Sequence, residues 1–417
     1  MISTRARKVA NILYVYILLT AIPFFLVKFP IFSFISPGTI LYSIYIYFLY
    51  LLLPFILFKL NNFRFYISKK QFLLMYFIVF LYFVSFFAGI NYYPDSLLLV
   101  KTLLISVGIF TFIGVPNSFV LTEEEVRFFM KKIIYFVVFA CIYNVLINLD
   151  LLLYGTSSLE LPKQFASFFS NRNTYAIILV IGIIACTFLI VSEKKMRYII
   201  FSLLFFISMI WTDSTNSLMS TIIFLVFFIM FYFKKNNIKM ILFVFTGIGL
   251  LYILYIKGFL DGIIAFVKYG DLSEFSGRTD IWMAGLNTLK ESIFFGVGIG
   301  QSKNVLSSND FDFDQFHNGY IEILVSGGVI LFIVYILLGI YMVINLGRLY
   351  SVHKLIGSIY LASFFSLIFS MFFESIVFFH EGFFSGIVTI FYLFIPLTLL
   401  NYYIKPKKEN SQGDKTE

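Results

Sequence analysis

Apolar runs of about 20 residues follow one another along almost the whole chain, parted by short polar breaks. The runs are continuous and show no alternation of period two, which excludes the strands of a barrel. In lipid, only helices and closed barrels satisfy the backbone, so the runs are predicted to be membrane-spanning helices. The predicted spans are 10–28, 38–58, 71–90, 97–116, 133–153, 174–192, 196–212, 216–233, 240–257, 318–346, 355–377 and 383–403. The fold class is therefore an all-α polytopic membrane protein of about 12 transmembrane helices with one large extracytoplasmic loop. A single integral-membrane domain is predicted over 1–404, with the large loop at 257–317. Residues 405–417 are polar and charged and read as a disordered cytoplasmic tail.

Composition agrees with this layout. The chain is 60% hydrophobic and 13% charged, whereas a soluble domain is about 25% charged. The formal net charge of +9 does not point to nucleic acid, because membrane proteins carry cytoplasmic anchoring charges. With the N-terminus inside, 22 of the 31 Lys and Arg fall in cytoplasmic segments, including Arg5, Arg7, Lys8, Arg64, Lys131, Lys195, Lys235, Arg348 and Lys408. Both ends are thus predicted to be cytoplasmic. Cys141 and Cys186 lie inside apolar runs and read as small hydrophobes.

Ionisable residues within spans are functional candidates. Lys101 lies near the outer end of the fourth span, where it either snorkels outward or holds an anion in an external cavity. Glu374, near the outer end of the eleventh span, is expected to form a structural pair between helices. Glu322 shares a helix face with Asn318, four residues before it. Arg172 and Asn173 open the sixth span on the outer side, and Asp213 closes the seventh on that side.

The large loop carries most of the candidate chemistry. Ile281, Trp282, Gly285, Leu286, Leu289 and Ile293 form a helical stripe that suggests a helix lying on the bilayer, with Trp282 at headgroup level. Thr279 or Asp280 can cap it. Arg278 beside its N-terminus is either a solvated cation or a site for phosphate oxygens. Gly296-Val297-Gly298-Ile299-Gly300 lacks any βαβ context and reads as a tight turn allowing close backbone approach. Asp310, Asp312 and Asp314 form either a solvated acidic segment or a divalent-ion site beside a pyrophosphate. His317 is either an interfacial polar residue or a base for a sugar hydroxyl.

In order and on one side of the membrane, Gly277-Arg278 with Trp282, the turn Gly296 to Gly300, and His317-Asn318 resemble the O-antigen ligase and O-antigen polymerase superfamily of bacterial polysaccharide assembly. Gly327-Gly328 and the upstream Arg172-Asn173 add to the resemblance, whose detailed part covers about 60 residues. The chain departs from the pattern at Ile293-Phe294-Phe295, where a proline is usual, and at Asp213-Ser214-Thr215-Asn216, where Ser-Arg is common.

The resemblance implies glycosyl transfer from an undecaprenyl-pyrophosphate-linked oligosaccharide at the outer face of a bacterial inner membrane, with no cofactor. His317 would be the catalytic base. Arg278 and Arg172 would clamp the pyrophosphate, with Lys101, Asn318 and Asn173 as further substrate-binding residues. The lipid bilayer, a chain-length regulator and a flippase are the implied partners, and no nucleic acid is. The polymerase reading stands first. A ligase acting on lipid A-core and a lipid-linked oligosaccharide flippase are the alternatives.

Overall fold

The computed structural model describes residues 2–35, 39–64, 67–92, 98–149, 165–169, 171–233, 278–379 and 383–404. Every regular element among them is helical. We label the principal helices α1 (Ile2–Leu26), α2 (Ile40–Leu60), α3 (Lys69–Tyr92), α4 (Leu98–Ile109), α5 (Glu123–Ile147), α6 (Arg172–Glu193), α7 (Met196–Trp211) and α8 (Thr215–Tyr232). Then follow α9 (Arg278–Leu289), α10 (Ser302–Ser307), α11 (Gly319–Val352), α12 (Lys354–Ser370) and α13 (Phe383–Ile404). A π-turn and a short 3₁₀ turn extend α4 to Ser118.

Eleven of the predicted spans coincide with these helices. The remaining span, 240–257, lies outside the described residues, as do Gly277 and the tail 405–417. Nine of the described helices are long and apolar enough to cross a membrane, and α7 and α12 are shorter apolar helices. The chain is a polytopic membrane protein.

Local sequence explains where several helices begin. Thr122 and Glu125 form a capping box at α5. Asn171 caps α6 by accepting from the Asn173 amide at 2.7 Å. Asn318 caps α11 by accepting from the Tyr320 and Ile321 amides at 3.0 and 3.1 Å.

Polar contacts gather at two opposite ends of the bundle. At one end Arg5 bonds Asn61, Lys131 reaches Glu193 at 2.5 Å, His353 faces Glu123 at 3.5 Å, and Asn401 donates to the Pro116 carbonyl at 2.9 Å. At the other end Arg172 faces Asp213 at 3.7 Å, Asn216 donates to Ser370 Oγ at 3.0 Å, and the Gly319 amide donates to the Met371 carbonyl at 2.7 Å. Successive helices therefore run in alternating directions, as the charge pattern predicts. The lysine- and arginine-rich end is the first of these two.

Helix α11 is not straight. Tyr320 and Phe332 are about 18 Å apart along an ideal helix at 1.5 Å per residue, yet their ring centroids lie 6.4 Å apart. The chain folds at Gly328, whose φ of 69° and ψ of −175° suit glycine. A break of this kind leaves backbone groups without helical partners. The segment before and through the glycine turn supplies them. Val297 and Gly298 amides donate to the Val325 and Ser326 carbonyls at 2.9 and 3.0 Å, while Val329 and Ile330 amides donate to Ile293 and Phe294 carbonyls at 2.9 and 3.3 Å.

The large loop has a small core of its own. Ile281, Val297, Val305, Leu306, Phe316 and Val325 bury one another, with Trp282 and Phe311 packed against them. This corrects the expectation that α9 lies on the bilayer. Its apolar face is covered by Phe316 and Val325 rather than lipid, and the Trp282 indole donates to the Phe316 carbonyl at 2.8 Å. The helix also stops at Leu289, so Ile293 falls off the stripe and is exposed.

Candidate functional site

The site forms where α6, α9, the start of α11 and the turn after α12 meet. Its centre is Glu374, only 8% exposed. Asn173 Nδ2 donates to Glu374 Oε1 at 2.5 Å. Arg278 Nη2 lies 3.8 Å from the same oxygen, and Arg278 Nη1 donates to the Phe373 carbonyl at 2.9 Å. On the other side, His317 Nδ1 stands 3.6 Å from Glu374 Oε2. A buried carboxylate is costly unless charged or polar partners surround it. Here two cationic or protonatable side chains and an amide do so.

The backbone holds these side chains in place. His317 sits in the left-handed region with φ of 51°, an unusual setting for a non-glycine residue. Its neighbours fix that conformation. The Phe316 amide donates to Glu322 Oε2 at 3.3 Å, its carbonyl accepts from Trp282, and its ring is fully buried. Glu322 also accepts from Ser375 at 3.1 Å and from Ser302, so one carboxylate joins the loop, α10 and the turn after α12. The Gly319 amide donates to the Met371 and Glu374 carbonyls at 2.7 and 3.0 Å. A Cβ at Gly319 would stand 2.8 Å from the Ile376 carbonyl, which is why glycine is needed there.

The structure brings Arg278, His317 and Asn173 together around Glu374. It places Asn318 beside them, but the Asn318 side chain caps α11. Arg172 occupies the same end of the bundle and turns toward Asp213, 3.7 Å away, with both side chains about half exposed. Lys101 stands at the glycine turn, where a Cβ on Gly300 would lie 3.1 Å from its Cδ and 3.4 Å from its Nζ. The Arg278–Glu374 and Arg172–Asp213 pairs, at 3.8 and 3.7 Å, are both looser than a close charge-assisted bond of about 2.8 Å, although Arg278 is also held by the Phe373 carbonyl. A doubly charged anion could therefore draw either guanidinium from its carboxylate partner.

The aspartates do not converge. Asp314 pairs with Lys303 at 2.9 Å at an exposed position and raises that ammonium above its usual range, chiefly by their hydrogen bond. Among the described residues, no group of three His, Cys, Asp or Glu could hold a metal ion. Phe311 packs into the small loop core, and the Phe313 ring lies edge-on to His317 at 6.1 Å.

An apolar cavity of about 370 Å³ lies between α11 and α12. Tyr320 and Met371 line it near the polar cluster, and Phe378, whose carbonyl accepts from Tyr335 at 3.2 Å, lines it further on with Ile336, Ile340 and Phe364. Three of these positions flank the cluster in sequence: Tyr320 follows His317, and Met371 and Phe378 bracket Glu374. Ile336 and Ile340 are about half exposed, so this wall is not closed over by the described residues.

Sequence reasoning anticipated Glu374 as a pair between helices and missed that it joins three candidate side chains. The signal was present, since Glu374 is a carboxylate inside an apolar run. The Phe316 carbonyl, Ser302 and Ser375 carry no sequence signal that sets them apart.

Residues 200–336 match the family model described as O-antigen ligase. The matched segment contains Arg278, the glycine turn, His317 and Asn318, and leaves Lys101, Arg172, Asn173 and Glu374 outside it. The match is consistent with the O-antigen polymerase and ligase superfamily that the sequence resembles. No curated protein matches the chain.

Proposed function

We propose that this chain polymerises lipid-linked oligosaccharide repeat units by glycosyl transfer from a polyprenyl pyrophosphate. The family match supports a glycosyl-transferring enzyme of the O-antigen ligase or polymerase type. The observation that carries the finer reading is the convergence of Arg278, His317 and Asn173 on Glu374 beside an apolar cavity. A lipid-linked donor has an isoprenoid chain, an anionic pyrophosphate and a sugar, and the cavity, the guanidinium and the imidazole suit these three parts in turn. We place this end of the bundle on the outer face of a bacterial inner membrane, and both termini in the cytoplasm, because of the charge asymmetry.

In the proposed reaction, a hydroxyl of the acceptor repeat unit attacks the anomeric carbon of the donor sugar. His317 Nε2 takes the hydroxyl proton as the new carbon–oxygen bond forms. The bond from the anomeric carbon to the pyrophosphate oxygen breaks, and the leaving group departs as an anion. Arg278 and Arg172 meet its growing charge, and Arg278 can contact two oxygens at once. A single displacement inverts the anomeric centre.

The match to a family described as O-antigen ligase supports a ligase as a second reading equally well, and its acceptor would be lipid A-core. The polysaccharide made by a deletion strain separates the possibilities. Single-repeat products support the polymerase. Free long polymer would establish the ligase instead, and the absence of any external repeat would point to a flippase.

A further inference from the structure

We propose that Glu374 is the positioning residue of His317, fixing both the tautomer and the direction of the imidazole. The inference rests on reading His317 as the base. Its backbone is already locked by Phe316, Gly319 and the left-handed φ, so the ring direction remains to be set. His317 Nδ1 is buried and makes no hydrogen bond within the described residues. The polar atom that faces it is Glu374 Oε2, at 3.6 Å. Catalytic hydrogen bonds are often long without substrate and tighten when it binds.

The other oxygen of Glu374 is held from the opposite side. Asn173 donates to Oε1 at 2.5 Å, and the Arg278 guanidinium, which can only donate, stands 3.8 Å from it. Oε2 is thereby directed at the imidazole. An ionised carboxylate only accepts, so it selects the tautomer protonated at Nδ1. The lone pair then resides on Nε2, where a hydroxyl proton can be taken. The same carboxylate stabilises the imidazolium once that proton arrives. The groups facing the ring are Glu374 from the turn after α12 and the Phe313 ring from its own loop, while Arg278 from α9 stands at the other oxygen of Glu374.

A purely architectural Glu374, tying α6 and α9 to the turn, makes a different prediction for Glu374→Gln. Glutamine keeps the size. Its oxygen stays toward the two donors on the Oε1 side, which leaves its NH₂ opposite Nδ1. A donor at that position forces the Nε2–H tautomer and removes the base. An architectural residue would leave the tautomer and turnover alone.

The test is nitrogen-15 NMR of full-length protein in bilayers, labelled at its three histidines, with His317 assigned by comparison with His317→Asn. The wild type should show Nδ1–H at neutral pH, and Glu374→Gln should show Nε2–H. In the same variant kcat should fall about 10²-fold or more while KM changes little. Glu374→Asp should recover part of the turnover. An unchanged tautomer in Glu374→Gln would overturn the proposal whatever the activity. Should that variant fail to accumulate, the wild-type spectrum decides, because an Nε2–H imidazole there would overturn it equally. A switched tautomer with undiminished turnover would leave the positioning intact and remove His317 as the base.

Discussion

Gly298 of the glycine turn and Gly89 of α3 touch backbone to backbone. A Cβ built on Gly298 would stand 2.7 Å from Gly89 Cα, and one on Gly89 would stand 2.6 Å from Gly298 Cα. Side by side with them, Ser85 donates to the Ser326 carbonyl at 2.6 Å. The turn is thus clamped between α3 and the break in α11, and through that break it sets where the start of α11 points.

Gly298→Ala should lower stability. The added methyl meets fixed backbone, and φ is 105°, a conformation that disfavours a side chain. Overpacking of this kind costs about 1–3 kcal/mol. Gly347→Ala is the control, since nothing lies within 4 Å of its Cβ position. Thermal unfolding in detergent should show a lower midpoint for Gly298→Ala alone. Equal midpoints would mean that the close contact is dispensable.

Sidedness can be read by labelling. Ser307 in the loop and Lys195 after α6 are both exposed and lie at opposite ends of the bundle. The native Cys141 and Cys186 are buried and give a low background. A single cysteine at 307 should react with an impermeant thiol reagent on intact cells, and one at 195 should react only after lysis. The reverse pattern would invert the orientation and move the proposed site to the cytoplasmic face.

Much of the fold is legible in the sequence because lipid leaves so few options. Long apolar runs must be helices, and basic residues mark one end, so α1 to α8 and α11 to α13 follow from hydropathy. The site is less legible. His317 and Arg278 stand out as rare polar residues in a loop, but Glu374 joins them from about 60 to 100 residues away, a separation no local pattern encodes. The stripe of α9 is legible as an apolar face, yet hydropathy does not say whether lipid or Phe316 covers it. The role of Gly328 is likewise hidden, since a glycine inside an apolar run often merely packs, and the break appears only once Val297 and Gly298 pair with Val325 and Ser326.

Arg278 and Arg172 should differ in how they respond to substitution. Arg278→Ala leaves Glu374 buried with one fewer cation, so it should abolish polymer formation and also reduce stability somewhat. Arg278→Lys should restore charge without the paired contact and recover only part of the activity. Arg172 is an exposed partner of Asp213, so Arg172→Ala should leave stability nearly unchanged. A loss of polymer in Arg172→Ala would then report on the anion alone. Polymer length and membrane abundance, measured together, decide the matter, and full activity in both alanine variants would remove them from the site.

His317→Ala gives the most direct reading of the chemistry. The variant removes the base while Phe316, Gly319 and Glu322 still hold the loop, so the protein should accumulate in the membrane at nearly the wild-type level. Repeat units should remain at length one, with turnover down about 10²–10⁴-fold as expected for loss of a positioned base. The reaction should also survive chelation, because in this scheme the arginines offset the pyrophosphate charge. Loss of activity in chelator, restored by a divalent ion, would move the chemistry toward Asp310, Asp312 and Asp314. Near-normal chain length in His317→Ala would require the acceptor proton to leave by another route. Glu374 would then be the carboxylate to test next, since it already faces the same space.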